Sequence, residues 1–348
     1  MQIIYKNYDL TQFNTLGLFC IASNFITLDN INILAIIRQL VIEQNYSLLV
    51  LGGGSNIILP KIYDGLVVYN QLHGIYDVTN DLAINEVDIC DENYVFIKAM
   101  AGVNWDEFVS YTLDNNYYGL ENLSYIPGNI GASPIQNIGA YGAEVGNFIH
   151  SVEVYDVSSG SYYHLNRHEC QFNYRNSIFK QKTNYIILNV IFKLSKQPQL
   201  NYKYKELNKY IERNFSNQVL TAHLIRQAVI AIRQNKLPDY KVIGNVGSFF
   251  HNPIINHELF MSLKIKYPNI VAHDIGDNLI KVSAGWLIDN LGLKGYKVNN
   301  VGIYKEHALI IVNYGYADSD DILEFAAIIQ KKIKDTYGID LQIEPQII

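Results

Sequence analysis

An uncharged, glycine-rich segment in the middle of the chain sets the first limit on its fold. Residues 127–142 contain four glycines, two prolines and no charged residue. Each glycine costs about 0.5–1 kcal/mol of extra backbone entropy and contributes no side-chain packing. An ordered loop of this kind indicates close approach of the backbone to a ligand. Backbone N–H groups return about 1.5–3 kcal/mol each when they bind a charged acceptor, so a diphosphate would offset the cost. A purely structural Ω-loop is the alternative.

A second glycine run follows a predicted strand at residues 47–51. The run consists of Gly52, Gly53, Gly54, Ser55 and Asn56. It matches neither GxGxxG nor GxxxxGK[ST], because no lysine and no amphipathic helix follow it, so a Rossmann fold is disfavoured. Its successive backbone N–H groups can still bind an anion in a nest. A plain turn between two strands is the alternative.

Length and composition indicate a globular protein with more than one domain. The chain has 348 residues, of which 49% are hydrophobic and 17% charged, so it is neither disordered nor collagen-like. One hydrophobic core stops growing at roughly 250–300 residues, so two or three domains are expected. The net charge of −6 offers no general basic surface to nucleic acid, and no apolar run is long enough to span a membrane.

The cysteines and the N-terminal residues favour a cytoplasmic location. Cys20, Cys90 and Cys170 are odd in number and too widely spaced for a disulfide framework or a metal-binding CxxC pair. Residues 1–6 lack the charged start and apolar run of a signal peptide. We therefore expect a cytoplasmic protein with buried, reduced thiols and with no membrane or nucleic-acid partner.

Hydrophobic periodicity predicts an α+β or mixed α/β chain with boundaries near residues 70 and 235. Asn104 and Asp318 are expected to cap helices, and Pro238 lies where a long helix must end. Helices are predicted at 31–45, 105–113, 217–234, 283–290 and 318–337, and strands at 47–51, 94–100, 151–157, 185–193, 307–313 and 340–348. A turn at 158–160 is expected to separate the strands 151–157 and 185–193.

Nine short motifs spread along the chain carry a resemblance to a known enzyme family. In order they are Asn14–Gly17, Leu51–Asn56, Ile126–Gly128, Ser133–Gly142, Tyr174–Ser177, Lys236–Asp239, Gly244–Phe250, Ser283–Asp289 and Ile343–Pro345. Each motif is weak alone, but their order and spacing together resemble the UDP-N-acetylenolpyruvoylglucosamine reductase family. The resemblance covers nearly the whole chain, and an insertion near Tyr204 is similar to the longer of the family's two types.

The resemblance implies an α+β fold that binds FAD without a covalent bond. It implies two FAD-binding subdomains of the vanillyl-alcohol-oxidase type at 1–70 and 71–232. It also implies a C-terminal α+β substrate-binding domain at 233–348, whose last strand returns Glu344 to the active site. The FAD contacts that it implies are Gly52, Gly53, Gly54, Ser55, Asn56, Pro127, Gly128, Ser133, Pro134, Gln136, Asn137, Ile138, Gly139, Tyr141 and Gly142.

The family's activity implies NADPH-dependent reduction of UDP-N-acetylglucosamine enolpyruvate to UDP-N-acetylmuramate. This is a cytoplasmic step of peptidoglycan precursor synthesis, and so of cell-wall biogenesis and cell division. NADPH gives a hydride to FAD, FAD passes it to C3 of the enolpyruvyl ether, and C2 is then protonated. Because carbanion or enolate character develops at C2, the site needs a proton donor and groups that bind the carboxylate oxygens.

Three side chains match the family's catalytic positions. Ser248 matches the proton donor, since a neutral hydroxyl suffices for a carbanion-like centre. Arg175 matches the carboxylate-binding residue, and its planar fork suits a bidentate contact. Glu344 matches the third position and is interpreted as a general acid or polariser. A carboxyl beside the carboxylate of the substrate should be protonated or hydrogen-bonded.

Three more side chains match substrate-binding positions. Tyr204 fits a mobile tyrosine that reaches a UDP phosphate, with Tyr202 as the alternative, and Lys236 and Asn252 match diphosphate- and nucleotide-binding positions. His307 stands where some relatives have glutamine and receives no role. No metal site is expected, and a monomer is favoured. Two other functions stay open: a different FAD-linked oxidoreductase of the same fold, or a nucleotide-sugar binding module without catalysis.

Overall fold

In the computed structural model, which describes residues 4–80 and 92–348, the chain divides into two units. Unit 2 comprises Asp9–Ile21, Gly54–Tyr63 and Lys236–Ile348, and unit 1 comprises the remaining described residues. The predicted division between subdomains at 70 and 71 stays a proposal about unit 1. Cys20 and Cys170 are buried free thiols, whereas Cys90 lies outside the described residues.

The first sheet, most of whose residues belong to unit 1, has four strands and is covered by one helix. Its hydrogen-bonded order is Tyr5–Asp9, Ile21–Leu28, Ile62–Asn70 and Leu48–Leu51. The helix Leu34–Glu43 buries Leu34 and Ile37, three residues apart on one face, in a cluster with strand residues such as Leu66. The predicted helix at 31–45 and strand at 47–51 are therefore confirmed in type.

The second sheet of unit 1 has five antiparallel strands. Its order is Ser161–Asn166, Ile149–Asp156, Tyr185–Ser195, Tyr94–Met100 and Ile75–Asp77. The helix Trp105–Asp114 packs on this sheet, and the Asn104 side chain accepts from the N–H groups of Asp106 and Glu107, so the predicted cap is confirmed. The turn at 158–160 leads into the strand Ser161–Asn166, which the sequence did not predict.

Unit 1 ends in a pair of helices, of which only the second was predicted. They span Lys205–Asn214 and Ala222–Lys236. The predicted range 217–234 is thus wrong at its start by five residues, since helix geometry begins only at Ala222. The first helix was missed because its ten residues bury only two apolar side chains, Leu207 and Ile211.

Unit 2 contains two sheets of three or four strands, a two-stranded pair and three α-helices. One sheet has the order Gly244–Ser248, Ile310–Asn313, Val301–Ile303 and Lys297–Val298, and the other has Ile254–Asn256, Leu279–Val282 and Ala272–Asp274. The helices are His257–Lys266, Ala284–Asn290 and Ser319–Tyr337. Asp318 and Asp321 form a capping box at the start of the last helix, and Gly338 ends it with φ of 69°. No helix in the described part of the chain is long and apolar enough to cross a membrane.

The predicted strand at 340–348 is wrong for most of its length. Only Gln346–Ile347 forms a strand, paired in parallel with Ile57–Ile58, while Ile343 makes an isolated bridge to Phe250. The partner strand Ile57–Ile58 is only two residues long, and Pro60 follows it. The C-terminal segment therefore has no further strand residues to pair with. The predicted strand at 307–313 likewise begins only at Ile310. Short 3-10 helices lie at Thr11–Phe13, Ile31–Ile33, Glu121–Leu123, Ile130–Ala132, Val145–Asn147 and Ile178–Lys180.

Candidate active site

The two glycine segments touch within unit 1, where Gly53 meets Gly128. A Cβ added to Gly53 would lie 2.8 Å from the Gly128 Cα, so the approach requires glycine. The next residue, Gly54, belongs to unit 2, and a Cβ there would lie 2.0 Å from the carbonyl oxygen of Phe13. A diphosphate that is bound by backbone N–H groups needs backbone that no side chain covers. The glycines at these positions meet this requirement, so these residues fit the diphosphate of FAD.

A tight hairpin closes the long glycine segment. Gly139–Ala140 pairs antiparallel with Ala143–Glu144, and the two residues between them, Tyr141 and Gly142, have φ of 47° and 81°. A two-residue hairpin loop with positive φ at both positions is a type I′ turn, which glycine favours and tyrosine tolerates poorly. Burial raises the pKa of Tyr141 to about 12, so its phenol stays neutral.

Two polar side chains of this segment form hydrogen bonds to nearby residues of the same loop. The Ser133 hydroxyl donates to the carbonyl oxygen of Ile130 at 2.8 Å. Asn137 donates to the Glu144 carboxylate at 3.0 Å, and its side-chain oxygen accepts from the N–H of Gly146 at 2.8 Å. Both side chains therefore fix the loop, and the predicted contacts of these residues with FAD would involve their backbone.

The other residues predicted to contact FAD differ in exposure. Pro134 is buried, Pro127 and Gly142 are exposed, and Gly52, Ser55, Asn56, Gln136, Ile138 and Gly139 are half-buried. In unit 2 the carbonyl oxygen of Asn56 accepts from the N–H of Gln346 at 2.9 Å. The short glycine run is therefore held in place by the last strand of the chain.

Arg175 lies against the glycine hairpin of unit 1. It occupies a turn closed by two backbone hydrogen bonds between Asn173 and Asn176, and its φ is 51°. Its Nη2 donates to the carbonyl oxygen of Gly139 at 2.8 Å. The structure thus brings together Arg175 and Gly139, two residues that the sequence singled out separately.

Tyr204 also lies beside this hairpin. Its ring, 49% exposed, packs edge-on against the ring of Tyr141 with centroids 5.5 Å apart. Tyr204 directly precedes the helix Lys205–Asn214, so movement of that helix would carry the tyrosine with it. Tyr202, the alternative, is 40% exposed.

Two arginines that the sequence did not single out hold the second helix of this pair. Arg226 makes a bidentate contact with Asp106, with N–O distances of 2.7 and 3.0 Å. Arg233 donates from Nε to the carbonyl oxygen of Tyr125 at 3.0 Å. No local pattern marks these residues, because their partners lie more than 100 positions away in the sequence.

In unit 2, Ser248 lies at a bulge in its strand. Asn245 pairs with Val312 and Ser248 with Ile310, so the Ser248 strand has one residue more than its partner at this point. Gly247, inside the bulge, has φ of 73°. A bulge turns the side chains that follow it, and the fully buried Phe249 and Phe250 fix the chain immediately afterwards. The serine is therefore held by its neighbours and not in a mobile turn.

The motif at Asn14–Gly17 positions this strand. The Thr15 hydroxyl donates to the carbonyl oxygen of Asn245 at 2.6 Å, and the N–H of Asn245 donates back to the carbonyl oxygen of Thr15 at 2.9 Å. A Cβ on Gly244 would lie 2.2 Å from the carbonyl oxygen of Leu16. The two motifs therefore act as one structural element of unit 2.

Glu344 lies on the segment that pairs with the residues after Ser248. Its N–H donates to the carbonyl oxygen of Phe249 at 2.9 Å, and its side chain is only 10% exposed. The His251 Nδ1 lies 3.4 Å from the Glu344 Oε2. The structure therefore brings together the segments of Ser248 and Glu344 and adds His251, which sequence reasoning missed.

Three further residues that the sequence analysis named, Lys236, Asn252 and His307, belong to unit 2. Lys236 is the last residue of the helix Ala222–Lys236 and is half-buried. The side-chain oxygen of Asn252 accepts from the N–H of Ala284 at 3.0 Å, which leaves its NH₂ group as the donor toward a ligand. His307 Nδ1 accepts from the N–H of Leu309 at 3.2 Å.

A cavity of about 610 Å³ lies in unit 1, beside the end of the glycine hairpin. Asn122 and Asn201, which line it, donate to the carbonyl oxygens of Tyr141 and Gly142 at 2.8 and 3.3 Å. None of the predicted site residues lines this cavity. Glu121, also in its wall, is buried, and burial raises its pKa.

Two protein-family models match the chain. Residues 23–166 match a family described as an FAD binding domain, and residues 238–348 match the C-terminal domain of UDP-N-acetylenolpyruvoylglucosamine reductase. The predicted cofactor, FAD, is confirmed by the first match. The second match covers the paired segments of Ser248 and Glu344.

Relatives and a solved structure agree with these matches. The chain is 40% identical, over 99% of its length and 96% of the relative, to a UDP-N-acetylenolpyruvoylglucosamine reductase from Polynucleobacter asymbioticus. It is 41% identical to the enzyme of the same name from Bdellovibrio bacteriovorus, over 98% of each chain. The crystal structure of such a reductase from Thermus caldophilus has a TM-score of 0.64 at 20% identity, covering 99% of this chain and 97% of that one, and confirms the predicted fold. The chain belongs to the UDP-N-acetylenolpyruvoylglucosamine reductase family.

Proposed function

We propose that this chain reduces UDP-N-acetylglucosamine enolpyruvate to UDP-N-acetylmuramate, with NADPH as the reductant and FAD as the cofactor. The observation that carries the proposal is the 40% identity to a reductase of that name over 99% of the chain. The chain is an FAD-dependent oxidoreductase that acts in peptidoglycan precursor synthesis. Bound FAD supplies the hydride that reaches C3 of the substrate.

Ser248 donates the proton that C2 of the substrate needs. The strand bulge at Gly247 and the buried Phe249 and Phe250 hold its hydroxyl in one place. The same two phenylalanines reduce access of water, which would otherwise compete to protonate C2. The backbone hydrogen bond between Phe249 and Glu344 supports this role. It places the carboxyl group of Glu344 on the segment that neighbours Ser248.

Arg175 and Glu344 stabilise the charge that develops on the carboxylate of the substrate. The Arg175 fork can contact both carboxylate oxygens when its bond to Gly139 is exchanged for the substrate. Glu344 acts as a general acid or polariser beside the carboxylate of the substrate.

Tyr204, Lys236 and Asn252 bind the nucleotide diphosphate of the substrate. Lys236 supplies positive charge, Asn252 an amide donor, and Tyr204 a hydroxyl that can donate to a phosphate oxygen. Tyr204 is favoured over Tyr202 because its ring contacts Tyr141 of the glycine hairpin. The protein functions as a monomer in the cytoplasm, where NADPH and nucleotide sugars are available.

Steady-state assay of the purified FAD-loaded protein tests this function. NADPH oxidation should depend on UDP-N-acetylglucosamine enolpyruvate, and mass spectrometry should find UDP-N-acetylmuramate in equal amount. UDP-N-acetylglucosamine, which lacks the enolpyruvyl group, is the matched control and should give no oxidation above background. Binding of the enolpyruvyl substrate without NADPH oxidation would indicate a nucleotide-sugar binding module. Oxidation that is indifferent to this substrate would indicate a different FAD-linked oxidoreductase.

A further inference from the structure

The side chain of Asn122 joins two segments of unit 1 that lie apart in the sequence. Its Nδ2 donates to the carbonyl oxygen of Tyr141 in the glycine hairpin and to that of Asn201, at 2.8 Å in both cases. An amide NH₂ group carries two hydrogens, so both are used in these two bonds. Asn122 therefore ties the hairpin to the segment around Asn201.

A second bond and a ring contact run between the same two segments. The Asn201 Nδ2 donates to the carbonyl oxygen of Gly142 at 3.3 Å, one residue beyond the carbonyl that Asn122 binds. Tyr204 follows Asn201 by three residues, and its ring packs edge-on against that of Tyr141 with centroids 5.5 Å apart. The two asparagines, the hairpin and Tyr204 thus form one closed set of contacts.

Asn122 is the firmly held member of this set. Its side chain is buried, with 1% exposed, whereas Tyr204 is 49% exposed. Asn122 lies in the 3-10 helix Glu121–Leu123, all of whose residues are buried, and the Trp105 Nε1 donates to the carbonyl oxygen of Leu123 at 2.8 Å. The exposed segment before Tyr204 therefore takes its position from Asn122 and not the reverse.

We propose that Asn122 is a positioning residue for the reductase reaction: it holds Tyr204 at the glycine hairpin, where the tyrosine hydroxyl binds the nucleotide diphosphate of the substrate. This inference rests on the proposed function, in which Tyr204 donates to a phosphate oxygen. Asn122 binds the backbone of the two segments and acts through them. Without its two donors, ordering the segment before Tyr204 becomes part of the cost of binding substrate, and affinity falls.

The loss should appear in KM and hardly in kcat. A bond to the diphosphate, which is remote from C2 and C3, stabilises the ground state and the transition state equally. Asn122→Ala removes both donors, so KM for the enolpyruvyl substrate should rise about tenfold while kcat stays within about twofold of the wild-type value. An unchanged KM would overturn the proposal.

Asn24→Ala is the matched control. Asn24 is 3% exposed and also donates between distant segments of unit 1, to the carbonyl oxygen of Gly65 at 3.0 Å. Its replacement should lower the thermal denaturation temperature as that of Asn122 does, because each leaves a buried carbonyl without its donor. KM should stay at the wild-type value. FAD content establishes that each variant is loaded with cofactor.

A double-mutant cycle with Tyr204→Phe distinguishes positioning from a general loss of structure. Tyr204→Phe removes the hydroxyl that Asn122 positions, so Asn122→Ala should raise KM by less than about twofold in that background. If Asn122→Ala raises KM by the same factor in both backgrounds, it does not act through Tyr204 and the proposal is wrong. Asn201→Ala, at an exposed position where folding is not at risk, should raise KM about twofold to fivefold with the same dependence on Tyr204.

Calorimetric titration of the holoenzyme with UDP, in the absence of NADPH, tests the same point without turnover. UDP carries the diphosphate that Tyr204 binds, so its Kd should rise about tenfold in Asn122→Ala and stay at the wild-type value in Asn24→Ala. Such a rise in a protein that does not reduce the enolpyruvyl substrate would contradict the proposed function and still support the positioning role. Equal affinity for UDP in all three proteins overturns the positioning role, whatever their turnover.

Discussion

The guanidinium of Arg175 donates from Nη2 to the carbonyl oxygen of Gly139 at 2.8 Å. A Cβ added to Gly139 would lie 2.9 Å from the Arg175 Nη1 and 3.0 Å from the carbonyl oxygen of Ala143. The absence of a side chain at Gly139 therefore makes room for the arginine that we assign to the carboxylate of the substrate. The glycine hairpin positions this side chain as well as forming part of the proposed FAD cradle.

Gly139→Ala should displace Arg175 and slow turnover by about tenfold or more. On one side the new methyl group collides with the end of the flexible Arg175 side chain, which can move away. The protein should therefore still fold, with its free energy of unfolding lowered by about 1–3 kcal/mol. Rapid-mixing measurements should show that reduction of the enolpyruvyl substrate is impaired much more than NADPH oxidation. Arg175→Lys should behave similarly because the fork is lost while the charge is kept. Gly285→Ala, where the added Cβ meets nothing closer than 3.4 Å, is the control. Wild-type rates in Gly139→Ala would argue against this role.

Ser248→Ala should separate the two half-reactions. NADPH should bleach the flavin at nearly the wild-type rate, whereas reduction of the enolpyruvyl substrate should slow by about 10²–10⁴-fold, because one positioned proton donor is lost. Stopped-flow absorbance measures each half-reaction in turn. Ser262→Ala, on an exposed helix turn, is the matched control. Equal losses in both half-reactions would remove Ser248 from the role of proton donor.

Asp106→Asn should loosen the helix pair that carries Tyr204. The Arg226 side chain is only 15% exposed and would lose a bidentate carboxylate, at a cost of about 1–3 kcal/mol. Urea denaturation should show this loss, and KM for the nucleotide substrate should rise because Tyr204 is less well held. Asp114→Asn is the control, since Asp114 is 67% exposed and 3.9 Å from His223. An unchanged urea midpoint would show that the pair contributes nothing to stability.

Stability should fall at alkaline pH because two thiols are protonated only while the protein is folded. Burial raises the pKa of Cys20 to about 11 and that of Cys170 to about 12. An ordinary thiol ionises near pH 8.5, so these groups stabilise the folded state fully below that pH, and their contribution disappears as pH rises to 11 and 12. The free energy of unfolding should therefore decrease from about pH 8.5 upwards, less steeply in Cys170→Ala. The same slope in the wild type and the variant would show that Cys170 does not ionise on unfolding.

Local patterns predicted the elements whose ends are set by neighbouring residues. The helix Ser319–Tyr337 begins at the capping box of Asp318 and ends at Gly338, and Asn104 begins another helix, so the signals lie within a few positions of each end. The strand at 340–348 failed because its length depends on distant partners such as Ile57–Ile58. The exposed strand Ser161–Asn166 was missed because almost all of its residues face solvent and show no alternation.

The candidate site shows the same limit. The motifs singled out Ser248, Arg175 and Glu344, but not His251, Arg226 or Asp106. The contact of His251 with Glu344 joins residues 93 positions apart, and that of Arg226 with Asp106 joins residues 120 apart. Such pairs follow from the fold and leave no pattern in a single sequence.

Anaerobic titration of the holoenzyme tests the central claim most directly. The flavin is first bleached with one equivalent of NADPH, and UDP-N-acetylglucosamine enolpyruvate is then added in the absence of oxygen. The proposed reaction predicts that the flavin absorbance returns in proportion to the substrate added, with one UDP-N-acetylmuramate formed for each flavin. A flavin that stays bleached after excess substrate would contradict the assignment of this chain as a reductase of that nucleotide sugar.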